Sequence, residues 1–218
     1  MPALLTAWSL DLALLLEDPP DDAVVRHGED LLRRWASPGR HYHTTSHLVE
    51  MFWALEELED AGEVDERDGA LARVAAWFHD AVYDPRAPLG QNEAASAELA
   101  GSSLQQLGAD PADVAAVTGL VRLTDGHDAP TREPLPAAFH DSDLWILAAP
   151  EPRFDEYCAQ VREEYAHVPD QAYRQGRHAV LEPFQRRGRL YRTGHAHRQW
   201  ERRARLNLAR ELDRLSPS

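Results

Sequence analysis

Apolar residues recur every three to four positions along nearly the whole chain, the period of a helix that buries one face. No stretch alternates strictly for long enough to predict a sheet, and there is no internal repeat or low-complexity segment. The pattern predicts helices over 4–17, 22–36, 45–60, 66–83 and 92–107, then one opened by Asp110-Pro111. Four more are expected over 137–148, 152–166, 170–187 and 198–215. Local chemistry sets the boundaries. Ser37-Pro38-Gly39 ends the second helix, Thr44, Thr45 and Ser46 offer N-caps for the third, and Gly62 closes it. The fourth stops before Pro85, and Gly108 closes the fifth. A loop rich in Asp, Pro and Gly spans 125–136. No linker divides the chain. The expectation is one all-α domain over 1–218, with a core at about 30–150 and a C-terminal helical hairpin at about 151–215.

Composition narrows the function classes. A hydrophobic fraction of 43% over 218 residues supports a soluble fold with a real core. The longest apolar runs fall short of a membrane span, so no membrane partner is expected. The segment Leu4–Leu16 is interrupted by Asp11 and lacks a basic start and a cleavage site, so it does not read as a signal peptide. Cys158 stands alone, which excludes an intrachain disulfide and makes a reducing cytoplasm the expected compartment. A formal net charge of −14 argues against binding a nucleic-acid polymer. All 23 basic residues are arginine, so lysine-based Schiff-base chemistry is excluded.

That charge is unevenly spread. Residues 1–173 carry 11 Arg against 33 acids, and residues 174–218 carry 12 Arg against 4 acids. Either a basic C-terminal hairpin packs on an acidic body, or some of its arginines face a phosphate, which their planar fork suits.

Ionisable residues stand on three apolar helix faces. His47, Met51, Leu55 and Leu58 share one face by spacings of 4, 4 and 3. Leu71, Ala75, His79 and Val82 share another, with Asp80 beside His79. Phe139, Asp143, Ile146 and Leu147 line up on a third. A buried ionised carboxylate needs a cation or strong donors. One divalent ion would satisfy two carboxylates and two imidazoles together, and a mixed His and Asp set suits Mn, Fe, Co, Ni or Zn, with Mg tolerated by the carboxylates. Asp141 is the rival of Asp143, two positions away on the opposite side of the helix.

An isolated His47, the doublet in Phe78-His79-Asp80 and the lone acid in Ser142-Asp143-Leu144 resemble the signature of the HD superfamily. Longer strings resemble a bacterial family of predicted metal-dependent HD phosphohydrolases over residues of roughly 30–215. They are His41-Tyr42-His43-Thr44-Thr45-Ser46-His47, Trp77 through Pro85, Asn92 through Ala97, and Ala204-Arg205-Leu206-Asn207-Leu208. The resemblance implies an HD-domain-like helical bundle, a divalent metal on His47, His79, Asp80 and Asp143, and hydrolysis of a small phosphorylated compound, a nucleotide among the options. Two alternatives stay open: an HD module that binds a nucleotide without turnover, and a di-iron oxygenase of HD type. A homo-oligomer is compatible with all of them.

Further candidates surround this set. Asp84, four residues after Asp80, returns to the same helix face as a general base, or else turns the chain before Pro85. Glu93 in Asn92-Glu93 is either a second acid near the metal or a first-turn partner of the helix dipole. His127 ends the sixth helix on the face of Leu120, Leu123 and Thr124, where it would meet a phosphate or a second metal, or favour the helix C-terminus. His43 either joins the pocket or hydrogen-bonds the helix start. Arg177 is the first choice for a phosphate contact, against a salt bridge to the acidic body. Trp35, Trp53, Trp77, Trp145 and Trp200 read as core or packing residues.

Overall fold

The computed structural model describes residues 2–127 and 133–216. Among them are eleven α-helices and no strand. They are α1 Pro2–Leu15, α2 Asp21–Trp35, α3 Thr45–Asp60, α4 Glu66–His79, α5 Gln91–Gln106, α6 Pro111–Leu123, α7 Pro134–Asp143, α8 Glu151–Glu164, α9 Asp170–Arg186, α10 Gly194–Gln199 and α11 Glu201–Leu215. No helix there is long and apolar enough to cross a membrane.

α4 is the central element. It packs against α1, α3, α5, α6 and α7. Its sequence explains this, because Ala70, Ala72, Ala75 and Ala76 are small enough for neighbours to approach on every side, and all four are buried. Trp77 and Phe78 meet Trp8 of α1 edge-on, with ring centroids 5.6 and 5.9 Å apart. α2 closes on the same tryptophan, and a Cβ at Gly28 would lie 2.7 Å from the Trp8 ring. One cluster of buried side chains runs from Trp8 to Leu215.

Two boundaries differ from expectation in ways that shape the site. α4 stops at His79 rather than near 83. The Val82 amide donates to Ser96 Oγ at 3.1 Å, and Ser96 Oγ donates back to the Val82 carbonyl at 3.3 Å. A side chain of α5 thus takes the backbone groups that a longer helix would have paired. The seventh helix starts at Pro134, inside the expected loop, and tightens after Asp143 into a 3-10 turn, Leu144–Ala148. The C-terminal elements satisfy that turn: Tyr191 Oη donates to the Leu144 carbonyl, and Asn207 Nδ2 to those of Leu147 and Ala149. Of the expected 125–136 loop, residues 128–132 lie outside the described residues. The last expected helix, 198–215, is split at Trp200 into α10 and α11.

The basic C-terminal segment is largely structural. Arg210 pairs with Glu151 and Asp155, and Arg214 with Asp155. Arg205 caps α9 by donating to the carbonyls of Phe184, Gln185 and Arg187.

Candidate metal centre

His47 lies in the first turn of α3, where Thr44 is the N-cap and its hydroxyl accepts from the Ser46 amide. His79 is the last residue of α4, and Asp80 is its C-cap. Asp143 is the last residue of α7. Three helix ends therefore converge on one point. His79 Nε2 lies 3.0 Å from Asp80 Oδ2, 3.6 Å from Asp143 Oδ1 and 3.2 Å from His47 Nε2. His47 Nε2 is 3.3 Å from Asp143 Oδ1 and 4.0 Å from Asp80 Oδ2. Ligands bound at about 2.1 Å to one ion are separated by roughly 3–4 Å, depending on their angle. The spacing and donor chemistry of His47, His79 and Asp80 could hold a single cation, and Asp143 lies against the two imidazoles of that group.

The imidazoles are oriented for this role. His79 Nδ1 donates to the Ala76 carbonyl at 2.8 Å, which leaves Nε2 for the cluster. His47 Nδ1 faces the Tyr42 hydroxyl at 3.0 Å. Trp35 packs 5.4 Å from the His79 ring and donates from Nε1 to the Trp77 carbonyl, pinning the end of α4. Electrostatics record the crowding. Burial alone would push the Asp80 and Asp143 carboxyls up, but the neighbouring imidazoles, His79 foremost, hold both well below the usual carboxylate range. Burial would push His79 down, yet Asp80 and Asp143 hold it up at about 9. Burial lowers His47.

Asp141 is occupied elsewhere. It is fully buried and accepts from the amides of Arg192 and Thr193, from Thr193 Oγ1 and from His140 Nδ1. It fastens α7 to the start of α10, while Asp143 faces the histidines.

The remaining candidates divide. Because α4 ends at His79, Asp84 does not share a helix face with Asp80. It is exposed, its Oδ1 accepts from the Arg86 amide at 2.9 Å, and Asn92 clamps its backbone. This is the turn-forming arrangement. Glu93, in the first turn of α5, is half-buried, and burial together with the nearby Asp80 raises its carboxyl pKa. His127 is not helical: α6 ends at Leu123, and His127 sits in a left-handed turn with φ 51°. That turn carries its Nε2 to 3.6 Å from Asp143 Oδ2, and burial pushes the imidazole down to about 4. Arg177 donates to the Tyr157 hydroxyl and lies over its ring at 5.0 Å, and makes no salt bridge among the described residues. Tyr157 packs 4.5 Å from Tyr42, which packs on His47. Arg177 thus stands behind an aromatic wall of the cluster, with Nε lacking a partner among the described residues.

Two residues that the sequence reading did not select organise the rim. Glu164 Oε1 accepts from the amides of His41, Tyr42 and His43, while Oε2 accepts from His43 Nδ1 and the Tyr83 hydroxyl. His43 is held on the rim this way, its Nε2 3.9 Å from Asp80 Oδ2. Arg40 donates to the carbonyls of His43 and Ala81, tying the two segments that carry the histidines. Glu164 had a signal: Phe154, Tyr157, Val161 and Glu164 form the buried stripe of α8, the same pattern that marks Asp143. Trp53 departs from its expected packing role. It is 62% exposed and lines an open groove of about 650 Å³ with Glu57, His195 and Arg198, apart from the cluster. The lone thiol of Cys158 is pushed up to about 12 by burial, which disfavours thiolate chemistry.

No family model, curated protein or solved structure matches the chain significantly.

Proposed function

We propose that this chain is a metal-dependent phosphohydrolase acting on a small phosphorylated compound. One observation carries the reading: three helix ends bring two imidazoles and two carboxylates to a common, largely buried point, with His79 Nε2 to Asp80 Oδ2 at 3.0 Å and His47 Nε2 to Asp143 Oδ1 at 3.3 Å. The resemblance to HD phosphohydrolases supports the reaction class. His47, His79, Asp80 and Asp143 would hold the ion. When bound, a divalent ion supplies Lewis acidity and lowers the pKa of a water. Glu93 is the favoured proton acceptor, since it is half-buried in the first turn of α5 and burial, with the nearby Asp80, raises its carboxyl pKa. Arg177, bonded to the Tyr157 hydroxyl, adds positive charge behind this aromatic side of the cluster.

The test is metal analysis of the purified chain, followed by release of inorganic phosphate from a panel of phosphomonoesters and nucleotides with Mn²⁺, Mg²⁺ or Zn²⁺. Wild type should turn over at least one compound, and Asp80→Ala should lose at least about a hundredfold while keeping its helical circular dichroism. Undiminished turnover in Asp80→Ala would overturn the proposal.

A further inference from the structure

The open groove between α3 and α10 carries charges of both signs around an exposed tryptophan. Trp53, Glu56, Glu57 and Asp60 stand on its α3 side, and His195 and Arg198 on its α10 side. The helical period puts the four α3 residues on one face. α3 buries the opposite face, Leu48, Met51, Ala54, Leu55 and Leu58, in the core.

Some of these groups are spent within the chain. Glu57 Oε1 accepts from His195 Nε2 at 2.6 Å and from Trp200 Nε1 at 3.0 Å. Glu63, just beyond α3, accepts from the amides of Gly194 and His195. These bonds fix α10 against the end of α3 and set the shape of the groove. Others are left over. Glu56 and Asp60 are exposed and make no ion pair among the described residues. The Arg198 side chain is 66% exposed, and its one carboxylate neighbour among the described residues is the already engaged Glu63, at 3.9 Å. Trp53 is 62% exposed, and its ring packs on no other ring among the described residues.

One exposed apolar residue is ordinary on a protein surface. A tryptophan at the centre of a groove, flanked by unspent charges, has the anatomy of a contact, since Trp and Arg dominate the energetics of interfaces. The signs of the charges select the partner. A wholly basic segment would meet Arg198, and a wholly acidic one would meet Glu56 and Asp60. A second copy of the chain brings both signs, and a two-fold contact sets the patch against itself, acid to base and base to acid. The formal net charge of −14 makes copies repel, so a surface that carries its own arginine is the one suited to self-association.

We propose that the chain forms a two-fold dimer through this groove, with Trp53 of each copy buried at the centre and Glu56 and Asp60 of each copy paired with the partner subunit's Arg198. The groove shares no residue with the metal cluster, so the dimer stands or falls independently of the reaction proposed above.

Sedimentation equilibrium of the full chain at up to about 100 µM tests this. Wild type should sediment as a dimer, and Trp53→Ala should weaken the association at least about tenfold. Asp60→Arg and Arg198→Asp should each be monomeric with unchanged circular dichroism, because each sets like charges against one another across the two-fold. An equimolar mixture of those two variants should dimerise again, since every charge then meets its opposite. A monomeric wild type would overturn the proposal. So would a dimer that all three variants leave intact, which places the interface elsewhere, or a mixture of the two charge variants that stays monomeric.

Discussion

The Tyr42 hydroxyl stands 3.0 Å from Nδ1 of His47, and the two rings pack 4.7 Å apart. By accepting the Nδ1 proton, the hydroxyl would leave His47 Nε2 as the lone-pair nitrogen, directed at His79 and Asp143. Tyr42→Phe should keep the packing and lose the tautomer control. Its affinity for Zn²⁺ or Mn²⁺ should fall roughly tenfold, read by competition with a chelating dye. An unaltered affinity would reduce Tyr42 to a space-filling role.

Asp141 and Asp143 should separate stability from metal binding. Asp141→Ala leaves two backbone amides, a hydroxyl and His140 Nδ1 without their acceptor. It should lower the unfolding free energy by about 3 kcal/mol in urea titrations. Asp143→Asn should leave the metal-free chain within about 1 kcal/mol of wild type but weaken metal binding at least tenfold. Equal destabilisation by both would contradict the division of labour.

Glu164 sets a pH dependence of stability. Burial favours its protonated form, but hydrogen bonds from His43 and from the backbone amides of residues 41–43 outweigh that and hold its carboxyl at about 2, below the ordinary 4.5. A depressed carboxyl stabilises the fold above its unfolded pKa and loses that stabilisation as the pH falls through the folded value. The contribution should therefore be complete above about pH 5 and gone near pH 2. With allowance for solvent screening it should amount to about 2 kcal/mol. In denaturant titrations, wild type should exceed Glu164→Gln by that margin at neutral pH, and the gap should close on acidification.

Glu93 and Asp84 are distinguishable by rate. If the chain hydrolyses phosphate esters, Glu93→Gln should lower kcat by roughly 10²–10⁴, the range for a lost general base. Asp84→Asn should change kcat by no more than a few fold, because the Asp84 carboxylate is spent on the Arg86 amide. The reverse order would return the base assignment to Asp84.

Much of this molecule is decided locally. The 3.6-residue period places ten of the eleven helices near their predicted positions, and the stripes that expose His47, His79 and Asp143 as inward-facing depend only on neighbours within two turns. Other features rest on partners far along the chain. Val82 ends α4 by bonding to Ser96, fourteen residues away. Glu164 reaches back 121 residues or more to His41, Tyr42 and His43, and Asp141 forward about fifty to Arg192 and Thr193. His127 owes its approach to Asp143 to one left-handed residue rather than to any helical period. The sequence by itself therefore determined an all-helical chain and the inward turn of His47, His79 and Asp143, because periodicity is a short-range property. Which ionisable side chains meet, which are spent on holding loops, and how the oxygens of Asp143 are shared were decided by tertiary packing, because long-range contacts leave no periodic trace.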